Sequence, residues 1–176
     1  MYVFRLLIYI KSKIFRGLAN PRNILKPFEL LKPLELSCMY SSETQIRIHY
    51  ALTDQMGVVY HGHYAQFYEI GRSEAIRQLG YTYKDIEAMG IIMPVVDIHS
   101  KFLRPAKYDD LITVKTNLKE LPTTHKIIFH SEIYNEAGEL LNVGDVTLYF
   151  MEASSMKRCN MPEELKLKIE QFFLQE

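Results

Sequence analysis

Apolar and polar positions alternate along several stretches of the chain, and each such stretch predicts a β-strand. In TQIRIHYAL, residues 44–52, the residues Ile46, Ile48 and Tyr50 share one face, and charged or polar residues occupy the other. Four later stretches also have strand character: residues 94–102, 111–121, 124–135 and 139–152. The last two flank NEAGE, whose turn residues predict a hairpin. Because several of these strands exceed the usual length, we expect a curved sheet.

A three- and four-residue spacing of apolar positions predicts one long helix after the first strand. It covers residues 61–79, and Gly80 ends it. Gly71 and Ala75 lie one turn apart on this helix, and their small size allows a close approach to a sheet or a second helix. The helix is also rich in aromatic residues, so we expect it to lie largely buried.

The order of the elements indicates the fold class. A short helix is predicted over residues 83–90, ahead of the four later strands, and a terminal helix begins at Pro162. One long helix beside a five-stranded, mostly antiparallel sheet is an α+β arrangement. The chain of 176 residues is long enough for one domain with a buried core. We assign residues 44–176 to that domain and residues 1–43 to an N-terminal extension.

Charge is distributed unevenly along a chain whose net charge is zero. Residues 1–38 hold seven of the 21 basic and two of the 21 acidic residues, which leaves 14 basic and 19 acidic residues in the main body. An acidic main body argues against nucleic-acid binding, which needs a clustered basic face. Cys38 and Cys159 form neither a disulfide framework nor a zinc motif, which favours a reducing, cytoplasmic setting.

The N-terminal extension is open to several interpretations. Its apolar run VFRLLIYI is too short to cross a bilayer, and no signal-peptide cleavage site follows it. Residues 1–28 contain six basic residues and no acidic residue, which suits a helix on a membrane surface or an organelle-targeting segment. Alternatively, translation starts at Met39, and the extension is not made in the cell.

The candidate chemistry lies where the first strand leads into the long helix. TDQMGVVYHGHY, residues 53–64, contains a carboxylate, a glycine and two histidines. A carboxylate can attack a carbonyl or activate water, and the free N–H groups of a helix N-terminus can stabilise an oxyanion. An Asx-turn or a helix cap would account for Asp54 without any chemistry.

The same stretch resembles the signature of the 4-hydroxybenzoyl-CoA thioesterases and the YbgC-like acyl-CoA thioesterases. PVVDIHSKFLRPAKYDDLITVKT, residues 94–116, is similar to that family in two strands and an Arg-Pro-Ala turn. The likeness covers roughly residues 44–152. It implies the hotdog fold, in which the sheet wraps around the central helix, and a homodimer or homotetramer with active sites at the subunit interface. It also implies hydrolysis of acyl-CoA to an acid and free coenzyme A, without a cofactor.

The resemblance implies roles for individual residues. Asp54 is the catalytic carboxylate, as nucleophile or general base, and the backbone N–H near His61 is the oxyanion donor. The His61 side chain bonds the thioester or orients water, and Tyr50, if it faces inward, holds the carboxylate. A polar residue at a helix start would account for His61, and strand packing for Tyr50, without any chemistry. Apart from the resemblance, Arg104 and Lys107 flank Pro105 at a strand end and suit the phosphates of coenzyme A, although a solvated turn explains them nearly as well. The full set of predicted substrate-binding residues is Gly57, Val59, Tyr60, His63, Tyr64, Arg104 and Lys107.

Other interpretations of nearby residues carry less weight. His63 stands where the family often has Asn, and the sequence HGH suggests a metal site. Two helical positions turn the side chains about 200° apart, however, so we predict no metal. Glu69 is assigned a structural role, paired with Arg72 or facing solvent. Cys159 is assigned as a bystander thiol.

Two alternative functions remain at the level of sequence. One is a thioesterase that acts on acyl carrier protein, which would differ in partner rather than in chemistry. The other is a non-catalytic acyl-CoA-binding protein, although such a protein has little need for a buried carboxylate beside a thioester. A hotdog dehydratase is disfavoured because no fitting His and acid pair is present. The chain contains neither GxxxxGK[ST] nor GxSxG, so neither a phosphate-binding loop nor a serine hydrolase is predicted.

Overall fold

A computed structural model of the protein describes residues 40–173, which contain two antiparallel sheets. The strands are β1 Tyr40–Arg47, β2 Ile91–Ile92, β3 Val95–Phe102, β4 Leu111–Leu118, β5 Lys126–Tyr134, β6 Leu140–Tyr149 and β7 Met151–Glu152. The main sheet has five strands in the order β1-β4-β5-β6-β3, and β2 pairs with β7 in a small second sheet. Strand β3 therefore lies at one edge of the main sheet.

Three α-helices accompany the sheets: α1 Tyr64–Gln78, α2 Tyr83–Ala88 and α3 Glu163–Glu170. Single turns of 3₁₀-helix cover Tyr50–Leu52 and His61–His63, and the second of these leads directly into α1. The predicted α+β arrangement is confirmed, with one long helix packed on a five-stranded antiparallel sheet. The predicted hairpin at NEAGE is also confirmed, since β5 pairs with β6 on either side of it.

The long helix lies very close to the sheet. A Cβ atom added at Gly71 would lie 2.6 Å from Oγ1 of Thr116 and 2.8 Å from Cγ1 of Val114, both on β4. The glycine therefore allows the close approach that its spacing with Ala75 predicts. One turn earlier, the buried hydroxyl of Tyr68 donates a hydrogen bond to Asn142 on β6.

The first strand differs from its prediction at both ends. It begins at Tyr40, inside the predicted N-terminal extension, and ends at Arg47 rather than continuing to residue 52. Pairing with the segment before β4 continues for one more residue, because the amide of Ile48 donates to Asp110 O and the carbonyl of Ile48 accepts from the amide of Asp109. The 3₁₀ turn Tyr50–Leu52 then ends the extended stretch. The predicted strand position of Tyr50 is therefore wrong.

The predictions for residues 1–39, including Cys38, lie outside the described residues. Within residues 40–173, no helix is long and apolar enough to cross a membrane.

Candidate active site

Asp54 begins a tight turn that its own side chain stabilises. The amide of Gly57 donates to Asp54 O at 2.9 Å, and the amide of Asp54 donates to Val58 O at the same distance. Gly57 has a φ of 73°, which a glycine adopts without the steric cost that a side chain brings. Oδ1 of Asp54 accepts a hydrogen bond from the amide of Met56 at 2.8 Å. The Asx-turn is therefore present, and among the described residues no donor bonds Oδ2.

Backbone hydrogen bonds fix this turn to two neighbouring segments. The amide of Val59 donates to Ala106 O, in the connection between β3 and β4. The amide of Tyr60 donates to Leu52 O, in the 3₁₀ turn that follows β1. Each of these N···O distances is 2.9 Å. The turn that carries Asp54 thus lies against the end of β3.

A cavity of about 300 Å³ lies between the Asp54 turn and the end of β3. It is lined by Asp54, Met56, Val58, Val59, His61, Tyr64, Phe102, Leu103, Arg104 and Pro105. Five predicted site residues thus share one cavity: Asp54, Val59, His61, Tyr64 and Arg104. Phe102 and Leu103 were not among the predicted site residues, although both lie in the segment that resembles the thioesterase family. Their proximity to the turn is a product of the tertiary fold.

Two backbone N–H groups at the start of the long helix are free to bind an anion. The amide of His63 donates to Tyr60 O, and that of Tyr64 donates to His61 O. The amides of His61 and Gly62 donate to no backbone carbonyl in the described part of the chain. Such N–H groups, at the positive end of the helix dipole, suit an oxyanion.

Aromatic rings form one wall of the cavity. Tyr64 is 3% exposed and makes an edge contact with Phe102, with ring centroids 5.0 Å apart and an angle of 88° between the planes. Its ring also contacts Phe67 at 5.6 Å. Burial raises the pKa of the Tyr64 hydroxyl, which keeps this group neutral. The wall is therefore uncharged and suited to an apolar acyl group.

Tyr50 does not lie where the sequence predicts. It belongs to the 3₁₀ turn, its side chain is 78% exposed, and its ring contacts Tyr108 at 5.7 Å. Because it is neither inward-facing nor among the residues that line the cavity, it does not hold the carboxylate of Asp54 within this chain. The resemblance implied this role on the condition that Tyr50 faces inward, and the 3₁₀ turn after β1 does not meet that condition.

Four other predicted residues do not line the cavity: Gly57, Tyr60, His63 and Lys107. Gly57 shapes the Asp54 turn, and the amide of Lys107 donates to Asp110 Oδ2 at 2.8 Å. The guanidinium of Arg104 donates to Leu140 O at 3.1 Å while the residue lines the cavity. Nδ1 of His63 lies 3.1 Å from Oε1 of Gln66, and the ring of Tyr60 packs against His61.

Two further residues that the sequence brought into question, Glu69 and Cys159, lie outside the cavity. Glu69 lies 3.9 Å from Arg72, in agreement with the predicted pairing. Burial raises the pKa of the half-buried Cys159 thiol, which makes this thiol less reactive. Among residues 40–173, no group of three or more His, Cys, Asp or Glu is placed to hold a metal ion.

Comparison with known proteins identifies similar chains. The family model of the thioesterase-like superfamily matches residues 48–169. The acyl-CoA thioesterase YbgC of Haemophilus influenzae is 30% identical over 122 residues, which cover 69% of this chain and 88% of that protein. A DHNA-CoA thioesterase of known structure from Staphylococcus aureus is 33% identical, with a TM-score of 0.68 over 74% of this chain and 91% of that chain. The fold is also shared with a 4-hydroxybenzoyl-CoA thioesterase at a TM-score of 0.67 and 19% identity, over 74% of this chain and 99% of that chain.

Proposed function

Because this chain belongs to the thioesterase-like superfamily, we propose that it hydrolyses acyl-CoA with Asp54 as the catalytic carboxylate. The predicted hotdog fold and the predicted class of enzyme, an acyl-CoA thioesterase, are both confirmed by the family and its relatives. The assignment of individual residues is our proposal. One observation carries it: Asp54 and His61 line the same cavity, and within residues 40–173 the amides of His61 and Gly62, in the 3₁₀ turn before α1, donate to no backbone carbonyl.

The proposed reaction uses these groups together. The acyl carbonyl lies against the free amides of His61 and Gly62, which stabilise the charge that develops on its oxygen. Asp54 either removes a proton from a water molecule that attacks the carbonyl carbon, or attacks that carbon itself to form an anhydride that water then hydrolyses. In both routes the C–S bond breaks. In the first route Asp54 passes the proton that it took from water to the departing sulfur, and in the second route coenzyme A leaves as a thiolate that is protonated by the water that hydrolyses the anhydride. His61 orients the water or the thioester.

The cavity favours an apolar acyl group beside a cationic rim. Tyr64 and Phe102 present ring surfaces to the acyl group, and Arg104 lies at the cavity edge, where it suits a phosphate of coenzyme A. Lys107 lies in the same connection between β3 and β4, and we assign it to the same phosphates.

We also propose that two copies of the chain pair along β3. This edge strand bonds β6 on one side, and it exposes large apolar residues: Val95, Val96, Ile98 and Phe102, each 40–51% exposed. An exposed apolar edge strand favours pairing with a second strand. Because Phe102 also lines the cavity, a partner at this edge would complete the active site. Association of two such dimers into a tetramer, and a cytoplasmic location, remain predictions from the sequence.

Thiol release tests the proposed activity. The full chain is incubated with acetyl-, hexanoyl-, benzoyl- and palmitoyl-CoA, and the free thiol is read with a chromogenic disulfide. We expect turnover of at least one ester, and the ranking of the four gives the acyl preference. Turnover of the matched carrier-protein thioester, and not of the CoA ester, would instead favour the carrier-protein enzyme. Micromolar binding of all four esters without thiol release would favour a non-catalytic binding protein and contradict the proposal.

A further inference from the structure

The ring of Tyr60 lies beside two histidine rings. Its centroid is 4.3 Å from that of His61, with 47° between the planes, and 5.8 Å from that of His63, with 74° between the planes. Oε1 of Gln66 in turn lies 3.1 Å from Nδ1 of His63. The ring of Tyr60 therefore contacts the imidazole of His61 and also that of His63.

Gly62 provides the space for this arrangement. A Cβ atom at residue 62 would lie 2.8 Å from Cε1 and 3.2 Å from Cδ1 of Tyr60, and its three nearest neighbours are all atoms of that ring. The φ of Gly62 is outside the positive region, so the backbone itself accepts an alanine. The glycine between the two histidines is thus explained by the Tyr60 ring and not by the backbone.

A hydrogen bond fixes the backbone of Tyr60, and its ring lies outside the cavity. Its amide donates to Leu52 O at 2.9 Å, and its side chain is 45% exposed. His61 lines the cavity with Asp54, and Tyr60 does not. Tyr60 therefore touches the imidazole that faces the substrate rather than the substrate itself.

We propose that Tyr60 is a positioning residue that sets the orientation of the His61 imidazole, and that Gly62 is required to leave room for its ring. This replaces the substrate-binding role that the sequence predicts for Tyr60. The expected effect of Tyr60 on kcat rests on the proposed function, whereas the contact between the Tyr60 and His61 rings does not.

A double-mutant cycle tests the kinetic consequence. Misplacement of a catalytic group by about 1 Å can cost up to about 100-fold in rate, so we expect Tyr60→Ala to lower kcat by about 10- to 100-fold with a much smaller change in KM. Tyr60→Phe keeps the ring and should remain within about threefold of the wild type. Gly62→Ala should act like Tyr60→Ala in the wild-type background, and should lower kcat by a much smaller factor in the Tyr60→Ala background. An equal loss from Gly62→Ala in both backgrounds would overturn the proposal.

The imidazole signals test the ring geometry without any turnover. The chain has six histidines, so the Cε1–Hε1 signals can be assigned by single substitution. Tyr60→Ala should remove the ring-current shift from His61 and His63, and Gly62→Ala should change the same two signals. Unchanged signals in folded variants would overturn the proposal even if the protein turned over no thioester. If the signals shift but kcat does not change in an active enzyme, the positioning role is wrong.

The chain offers a matched control for loss of a ring contact. Tyr149 contacts His125 at 4.8 Å with 79° between the planes, and neither residue lines the cavity. Tyr149→Ala should shift the His125 signal and leave both the His61 signal and kcat unchanged. A fall in kcat as large as that of Tyr60→Ala would show that loss of a surface ring contact lowers activity in general, and would overturn the specific role of Tyr60.

Discussion

The carboxylate of Asp54 has a structural role in its turn as well as the proposed chemical role. One oxygen accepts the Met56 amide at 2.8 Å, which fixes the side chain, and the residue lines the cavity with His61. At the level of sequence, an Asx-turn and a catalytic carboxylate were alternative explanations of Asp54. The structure contains the Asx-turn, and it leaves Asp54 lining the cavity, where the proposed chemistry needs it. The resemblance to the thioesterase family predicted that Asp54 and His61 share one site, and the structure places both along the same cavity.

Gly57 gives the first residue-scale prediction. Its φ of 73° is unfavourable for a residue with a Cβ atom, although nothing lies within 4 Å of the position that a Cβ would take. Gly57→Ala should therefore lower the free energy of unfolding by about 1–2 kcal/mol through backbone conformation alone. Urea denaturation measures this loss. Gly57→Asn is the control, since Asn tolerates the left-handed region better, and an equal or larger loss for Asn would contradict the explanation.

At the scale of the elements, local patterns predicted most of the main sheet and the central helix. The ends of the four later strands differ from the predicted bounds by at most three residues, because alternation continues along each strand and turn residues separate them. The short pair of β2 with β7 has no local pattern and was not predicted. The alternation of apolar and polar residues also continues past Arg47 to Tyr50, where the structure has a 3₁₀ turn instead of a strand. Phe102 was likewise missed, since contact with Tyr64 joins residues far apart in sequence.

The contact between α1 and β4 gives the element-scale prediction. Gly71→Ala should destabilise the fold by about 1–3 kcal/mol, because the added methyl group meets Thr116 and Val114. If helix propensity alone decided the outcome, Gly71→Ala would instead stabilise the fold by roughly 1 kcal/mol. Denaturant titration of Gly71→Ala, Val114→Ala and the double variant separates the two cases. The double variant should lose less than the sum of the single losses, and simple additivity would contradict a steric cause.

At the scale of the whole molecule, the exposed edge of the main sheet leads to the proposed dimer. Ile98 lies near the middle of β3, 45% exposed, on the strand that also carries Phe102 into the cavity. The sequence predicted a subunit interface through family resemblance alone. The structure adds an apolar edge strand next to the cavity, so assembly and activity are expected to depend on each other.

Ile98→Lys tests that dependence. Light scattering should give the wild type a mass of at least twice the 20.7 kDa of one chain, and should give Ile98→Lys the mass of a single chain with little thiol release. A charge at the apolar edge strand opposes strand pairing. Leu167→Lys is the control, since Leu167 is 58% exposed on α3, and it should change neither mass nor activity. A fully active monomeric Ile98→Lys variant would contradict the interface.

The most direct test of the central claim is the turnover of Asp54→Asn on the best acyl-CoA substrate. Asn keeps an oxygen that can accept the Met56 amide, so the fold and the unfolding temperature should be preserved. It removes the carboxylate, and kcat should fall by about 10²–10⁴-fold. Asp109→Asn is the matched control: Asp109 is exposed, has a φ of 69° that Asn tolerates, and does not line the cavity. A loss of kcat in Asp54→Asn and not in Asp109→Asn is the predicted result, and near wild-type turnover by a folded Asp54→Asn variant would contradict the account.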